Sequence, residues 1–207
     1  MANRKKRSAK LFAIIILVVA LISIVTYLIL EAYDKAPDIV TSGDVFLYTP
    51  DYDSDIMSEE SYTILDRSIK YSDGFGRWDI YNGTTVLTDT SIELYLIDYI
   101  HTLVAGDAEK LRTFYSEELI KKLEIPQKMT EQRIYETVFH EISFTETEEN
   151  GVPVLNYEFK VEYKIQRNDG TFRKDLESDA VKAQYLTIKM IGDYKQIVSV
   201  VQYAIPK

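Results

Sequence analysis

Residues 50 to 60 read PDYDSDIMSEE, with five carboxylates in eleven residues and three of them spaced D-x-D-x-D. Alternate carboxylates are the chemistry of a calcium loop, which binds the ion with oxygens from its first, third and fifth positions. Counted from Asp51, Asp53 and Asp55 fit. The sixth position, where such a loop turns on glycine, is Ile56, and the twelfth, where a bidentate Glu belongs, is Tyr62. The helix-loop-helix form does not fit. What remains is weak, irregular binding by Asp51, Asp53, Asp55 and Glu59, or an acidic strip that keeps a tether extended by charge repulsion.

The other candidates are imidazoles. The chain has two histidines and no cysteine. Disulfides, thiolate metal sites and a thiol nucleophile are excluded, as is a histidine-rich metal site. Asp98 and His101 form a carboxylate–imidazole pair on a predicted helix. Projected at about 100° per residue from Ile92, the apolar Leu96, Tyr99 and Leu103 lie within about 40°, whereas His101 falls near 180° and Asp98 near 240°. The pair is therefore expected on a solvated surface. His140, in VFHEIS, shares a predicted strand side with Val138 and Ile142, the setting of a packed or groove-lining histidine.

These residues must be positioned by surrounding elements. TDTSIELYLIDYIHTLVAGD opens with Thr90-x-x-Glu93, a capping-box pattern, and Ile92, Leu96, Tyr99, Ile100 and Leu103 recur at helical spacing. Gly106 ends this helix, Asp107 opens a second, and Pro126 stops a short third. The period then changes to two. RIYETVFHEISFTE, YEFKVEYKI, AQYLTIKMI and YKQIVSVVQYAI read as strands, with turns at Asn168–Gly170 and Gly192–Asp193. Upstream, Asn82–Gly83 in RWDIYNGTTVLT predicts a hairpin turn. Helices followed by an antiparallel run give an α+β class, the apolar helix face covering the apolar sheet face. Aromatics on that sheet face are candidates to line a ligand pocket: Tyr157, Phe159, Tyr163 and Tyr185, with His140 beside them. Ordinary core is the competing reading, because aromatics favour strands.

Leu11 to Leu30, LFAIIILVVALISIVTYLIL, is 20 residues without charge, Pro or Gly. As a helix it spans about 30 Å, the thickness of the bilayer's hydrocarbon core. It is longer than a signal-peptide core, and no small-x-small cleavage pattern follows. Arg4, Lys5, Lys6, Arg7 and Lys10 precede it; the remainder carries 19 basic and 33 acidic residues, a net charge of -14. The positive-inside rule then predicts a cytoplasmic N-terminus and an extracytoplasmic C-terminal domain in the cell membrane. An acidic outer part excludes nucleic acid as a partner, since phosphate recognition needs clustered Lys and Arg. No pattern calls for a cofactor.

At IHTLVAGDAEKLRTFYSEEL, followed by the long meander, the chain resembles the nuclear transport factor 2-like superfamily. That resemblance covers residues 89 to about 205 and implies helices packed into a strongly curved antiparallel sheet, a cone. The expected organisation is a basic tail at 1–10, a membrane span at 11–30, an acidic stalk at 31–60, a β-hairpin extension at 61–88 and the cone domain at 89–207. A basic tail, one span and an outer cone resemble the assembly component of bacterial type IV secretion machines and anchored envelope proteins. The superfamily hosts enzymes, receptors and scaffolds, so the fold does not set the activity. The expected function is a non-catalytic, membrane-anchored module that binds a protein partner or self-associates. The alternative is a small-molecule-binding or enzymatic cone with an aromatic-lined interior.

Overall fold

The computed structural model describes residues 45–202. The expected basic tail and span, and the stalk before residue 45, lie outside the described residues. Among the described residues no helix is long and apolar enough to cross a membrane. The chain divides into two units between Val40 and Thr41, and the fold below belongs to the second.

The second unit is α+β. A 3₁₀ turn at Ile56–Ser58 leads into α1 (Glu60–Thr63), β1 (Ile69–Ser72), β2 (Arg77–Tyr81), α2 (Ser91–Val104), α3 (Ala108–Phe114) and α4 (Glu117–Ile120). The meander follows as β3 (Arg133–Glu149), β4 (Val152–Gln166), β5 (Gln184–Ile191) and β6 (Tyr194–Gln202). All six strands form one sheet in the order β2-β1-β3-β4-β5-β6.

Local chemistry explains most boundaries. Asp107 Oδ1 accepts the Lys110 N–H at 2.8 Å and caps α3; Ser116 Oγ accepts the Leu119 N–H at 3.2 Å and caps α4. Gly106 separates α2 from α3 at φ +65°, and a Cβ there would stand 2.5 Å from the Thr130 carbonyl oxygen, so only glycine fits. Asn150 and Gly151, with φ of 54° and 79°, join the two longest strands through the doubly positive-φ turn that hairpins favour.

Several expectations change. The sheet is mixed, because β1 lies parallel to β3 while the other pairings are antiparallel. The hairpin expected as an extension thus supplies two strands of the main sheet. It turns at residues 73–76, where Asp73 Oδ1 accepts the Phe75 and Gly76 N–H groups, both at 2.8 Å. Asn82–Gly83 makes a second tight turn, its return reaching β2 through the Tyr81–Val86 bridge. Thr90 sits at the N-cap of α2 without a side-chain cap bond. The Glu93 carboxylate that would complete the box instead accepts from Trp78 Nε1 and Thr88 Oγ1.

The acidic stretch also differs from a free spacer along its described length. Ile56 is fully buried, and its N–H donates to Glu131 Oε2 at 2.8 Å. Glu59 pairs with Arg133, and Asp55 Oδ1 accepts the Met57 N–H at 3.1 Å. The Asp51, Asp55 and Glu59 carboxylates each accept a hydrogen bond, and burial of Ile56 among them holds the segment against the domain.

The core lies between the sheet and the helices. Ile92, Leu96, Tyr99, Ile100 and Leu103, the predicted helical stripe, are all buried, and Phe139, Phe159, Val161, Tyr163 and Ile165 meet them from β3 and β4. Leu186, Ile188 and Ile197 continue this face across β5 and β6.

Candidate functional site

Strand alternation separates the five residues predicted to line a pocket. Tyr157, Phe159 and Tyr163 lie on the helix-covered face. Tyr185 stands opposite Lys160 in register, and Lys160 is opposite His140. All three therefore project from the other face. His140 Nε2 meets Glu162 Oε2 at 3.1 Å, and Lys160 Nζ meets Glu162 Oε1 at 2.7 Å. Burial alone would raise the Glu162 pKa; the bonds and charge of Lys160, then His140, outweigh it and lower it. The expected pocket is not one site.

Its buried members are occupied. Phe159 and Tyr163 are packed in the core, and the Tyr163 hydroxyl accepts from Arg173 Nη1 at 2.9 Å. Tyr99 and Tyr115 hydroxyls meet nearby at 3.3 Å. Side chains fill this part of the interior.

An aromatic strip crosses the same face toward the sheet's hairpin edge. Phe144 meets Tyr157 at 4.9 Å between ring centroids, Tyr157 stacks on Phe159 at 6.0 Å, Phe159 meets Tyr71 edge-on at 5.8 Å, and Tyr71 meets Trp78 at 5.2 Å. The centre is dry, while the ends surface: Trp78 is 42% exposed and Phe144 46%. Two carboxylates hold polar tips along the strip. Trp78 Nε1 donates to Glu93 Oε1 at 3.0 Å, and the Tyr71 hydroxyl donates to Glu141. Burial first, then the Glu141 bond, pushes the Tyr71 phenol pKa up. Phe75, on the adjacent turn, is fully exposed.

A separate cleft of about 300 Å³ opens on the other flank of α2. Its walls come from the 3₁₀ turn, α1, the start of β1, the end of β2, the second half of α2 and the entry to β3. His101 lines it, its ring edge-on to Tyr81 at 4.7 Å. Burial lowers the His101 pKa, with Asp98 partly offsetting this. Arg67 lines it too, its guanidinium carbon 5.8 Å from the Tyr62 ring centroid. The Tyr62 hydroxyl donates to the Ile134 carbonyl at 2.9 Å, and burial pushes its pKa up to about 12.

His101 therefore leaves the solvated surface assigned to it. The apolar arc of α2 extends past Leu96 through Ile100, Val104 and Ile97, ending beside His101 at about 180°. The hairpin and the Ile56 segment cover that second flank. Asp98 does stay outside, where Lys110 Nζ binds Oδ1 at 2.6 Å. Asp98 is thus held by Lys110 while His101 faces the cleft. The signals for the cleft were the second apolar stripe and a lone Ile56 inside an acidic run. The strip's hairpin half carried no signal, because Tyr71 and Trp78 reach Phe159 only through sheet pairing.

Among the described residues no group of three or more His, Asp or Glu side chains could hold a metal ion. Asp51 Oδ1 turns back to the Asp53 N–H at 3.1 Å, while Glu59 faces Arg133, so the acidic run does not converge. No family model, curated protein or solved structure matches this chain.

Proposed function

We propose that the chain is a membrane-anchored, extracytoplasmic binding module without catalytic activity, working in a bacterial cell-envelope or secretion-type complex. The observation that carries this reading is the aromatic strip. Five rings form a continuous series from a half-exposed Trp78 to a half-exposed Phe144, with Phe75 fully exposed beside it. Aromatic residues with a buried ring and a wet edge are the type enriched at protein contacts. The tether comes from the uncharged Leu11–Leu30 run behind a basic flank.

The domain is a cone of the nuclear transport factor 2-like kind. Supporting this are helices gathered on one sheet face and extra, unpaired residues in β3 and β6, which bend strands. Its long β3–β4 hairpin carries Phe144 and Tyr157 to the strip's outer end.

Crosslinking on intact bacteria, followed by recovery of the full chain, tests the function. The expected product is a discrete complex, either hetero- or homomeric, that weakens when Trp78 and Phe144 are both changed to Ser. Recovery of monomer alone, under conditions that trap other envelope complexes, would overturn the reading.

A further inference from the structure

The cleft beside α2 has a composition that selects a ligand. Most of its wall is apolar, with Ile69, Ile100, Val104 and Ile134 among the aliphatic contributors. Its volume of about 300 Å³ is at the lower end for small-molecule sites. Arg67 supplies a permanent positive charge at this wall. Among the described residues its guanidinium makes a weak contact from Nη1 to Met57 Sδ at 3.6 Å and lies over the face of Tyr62. Among the described residues no carboxylate forms an ion pair with it, whereas Arg133 and Arg173 each have one.

The one acid on the wall, Glu131, has Oε2 engaged by the Ile56 N–H. His101 and Tyr81 supply a flat, edge-to-face aromatic corner. A guanidinium binds a carboxylate through two parallel N–H donors, and an aliphatic wall receives an apolar tail. We infer that this cleft is a binding site for a small apolar monocarboxylate, with Arg67 holding the carboxylate and the α2 flank holding the tail. The site is independent of the aromatic strip and of any partner bound there.

The test uses the full chain in lipid nanodiscs, with empty nanodiscs as the blank and hexanoate as the probe. Titration calorimetry should show saturable binding at millimolar concentration or below. Hexanamide, which keeps shape and loses charge, should bind about tenfold more weakly or worse, as should hexanoate to Arg67→Met, each having lost a charge-assisted contact. Because the chain has only two histidines, the imidazole proton resonances give a local readout. His101 should shift on addition of hexanoate and His140 should not. No saturable binding, equal binding of hexanamide, preferential binding of hexylamine, or a shift at His140 alone would each overturn the inference. If Arg67→Met fails to fold, the amide comparison and the histidine readout on the unaltered chain still decide it.

Discussion

Arg173 is charged yet its side chain is only 1% exposed, and this sets up the sharpest residue-level consequence of the fold. Its Nε and Nη2 reach Asp175 at 2.7 and 3.0 Å, and Nη1 donates to Tyr163. Lys182 Nζ adds a second cation 2.8 Å from Asp175. Burial alone would raise the Asp175 pKa; the bonds and charge of Arg173, then Lys182, outweigh it and bring it to about 2. A depressed carboxylate stabilises the fold at pH values above its ordinary pKa, and that contribution fades as pH falls through the folded value. Here it amounts to about 2 kcal/mol, lost between roughly pH 4 and pH 2. Asp175→Asn is expected to cost about 3 kcal/mol at neutral pH, since it leaves Arg173 buried and uncompensated. It should also flatten the acid limb of the stability profile. Urea midpoints of both proteins across that range check the magnitude and the sign.

At the scale of elements, α2 is held from two sides. Its first flank meets β3 and β4 through Leu96, Tyr99 and Leu103, and its second meets β1, β2 and the Ile56 segment. Its ends use different devices. Thr90 makes no cap bond at the start, and Glu93 is drawn away to Trp78 and Thr88. The next helix has a working cap in Asp107. Thr90→Ala is therefore expected to change stability by less than about 0.5 kcal/mol, whereas Asp107→Ala should cost about 1 kcal/mol. Thermal unfolding of the two variants distinguishes them; equal losses would mean that Thr90 caps after all. The pattern T-x-x-E was legible, but its meaning was not. A carboxylate goes to the donors the tertiary fold brings nearest, and the Trp78 indole comes from another element.

For the molecule as a whole, the acidic segment is docked on the folded unit that follows it. Ile56, Tyr62 and the Glu59–Arg133 pair attach it along the entry to β3, and the same attachment forms one wall of the cleft. Replacing Ile56 by Asp puts a charge into a buried, mostly apolar site. Limited proteolysis should then cut within residues 51–60 at least about tenfold faster, since opening of about 1.4 kcal/mol in free energy gives that factor. The β3–β6 sheet should keep its protection. An unchanged cutting rate would show that Ile56 does not hold the segment.

Local pattern was enough for the α+β class, the stripe on α2, the break at Gly106 and the four meander strands. Each depends on spacing along one element or on one backbone conformation, which the sequence carries directly. The uncharged run at 11–30 and its basic flank are likewise properties of the sequence alone. Only the tertiary structure decided what those elements bring together. Register placed Tyr185 and His140 on the face opposite Phe159, and the parallel pairing of β1 with β3 brought Tyr71 and Trp78 into the strip. Packing of the Ile56 segment turned the apparently solvated side of α2 into a cleft containing His101 and Arg67. These contacts join residues distant in the chain, so no local period encodes them. They follow from which apolar surfaces find each other when the whole chain is compact.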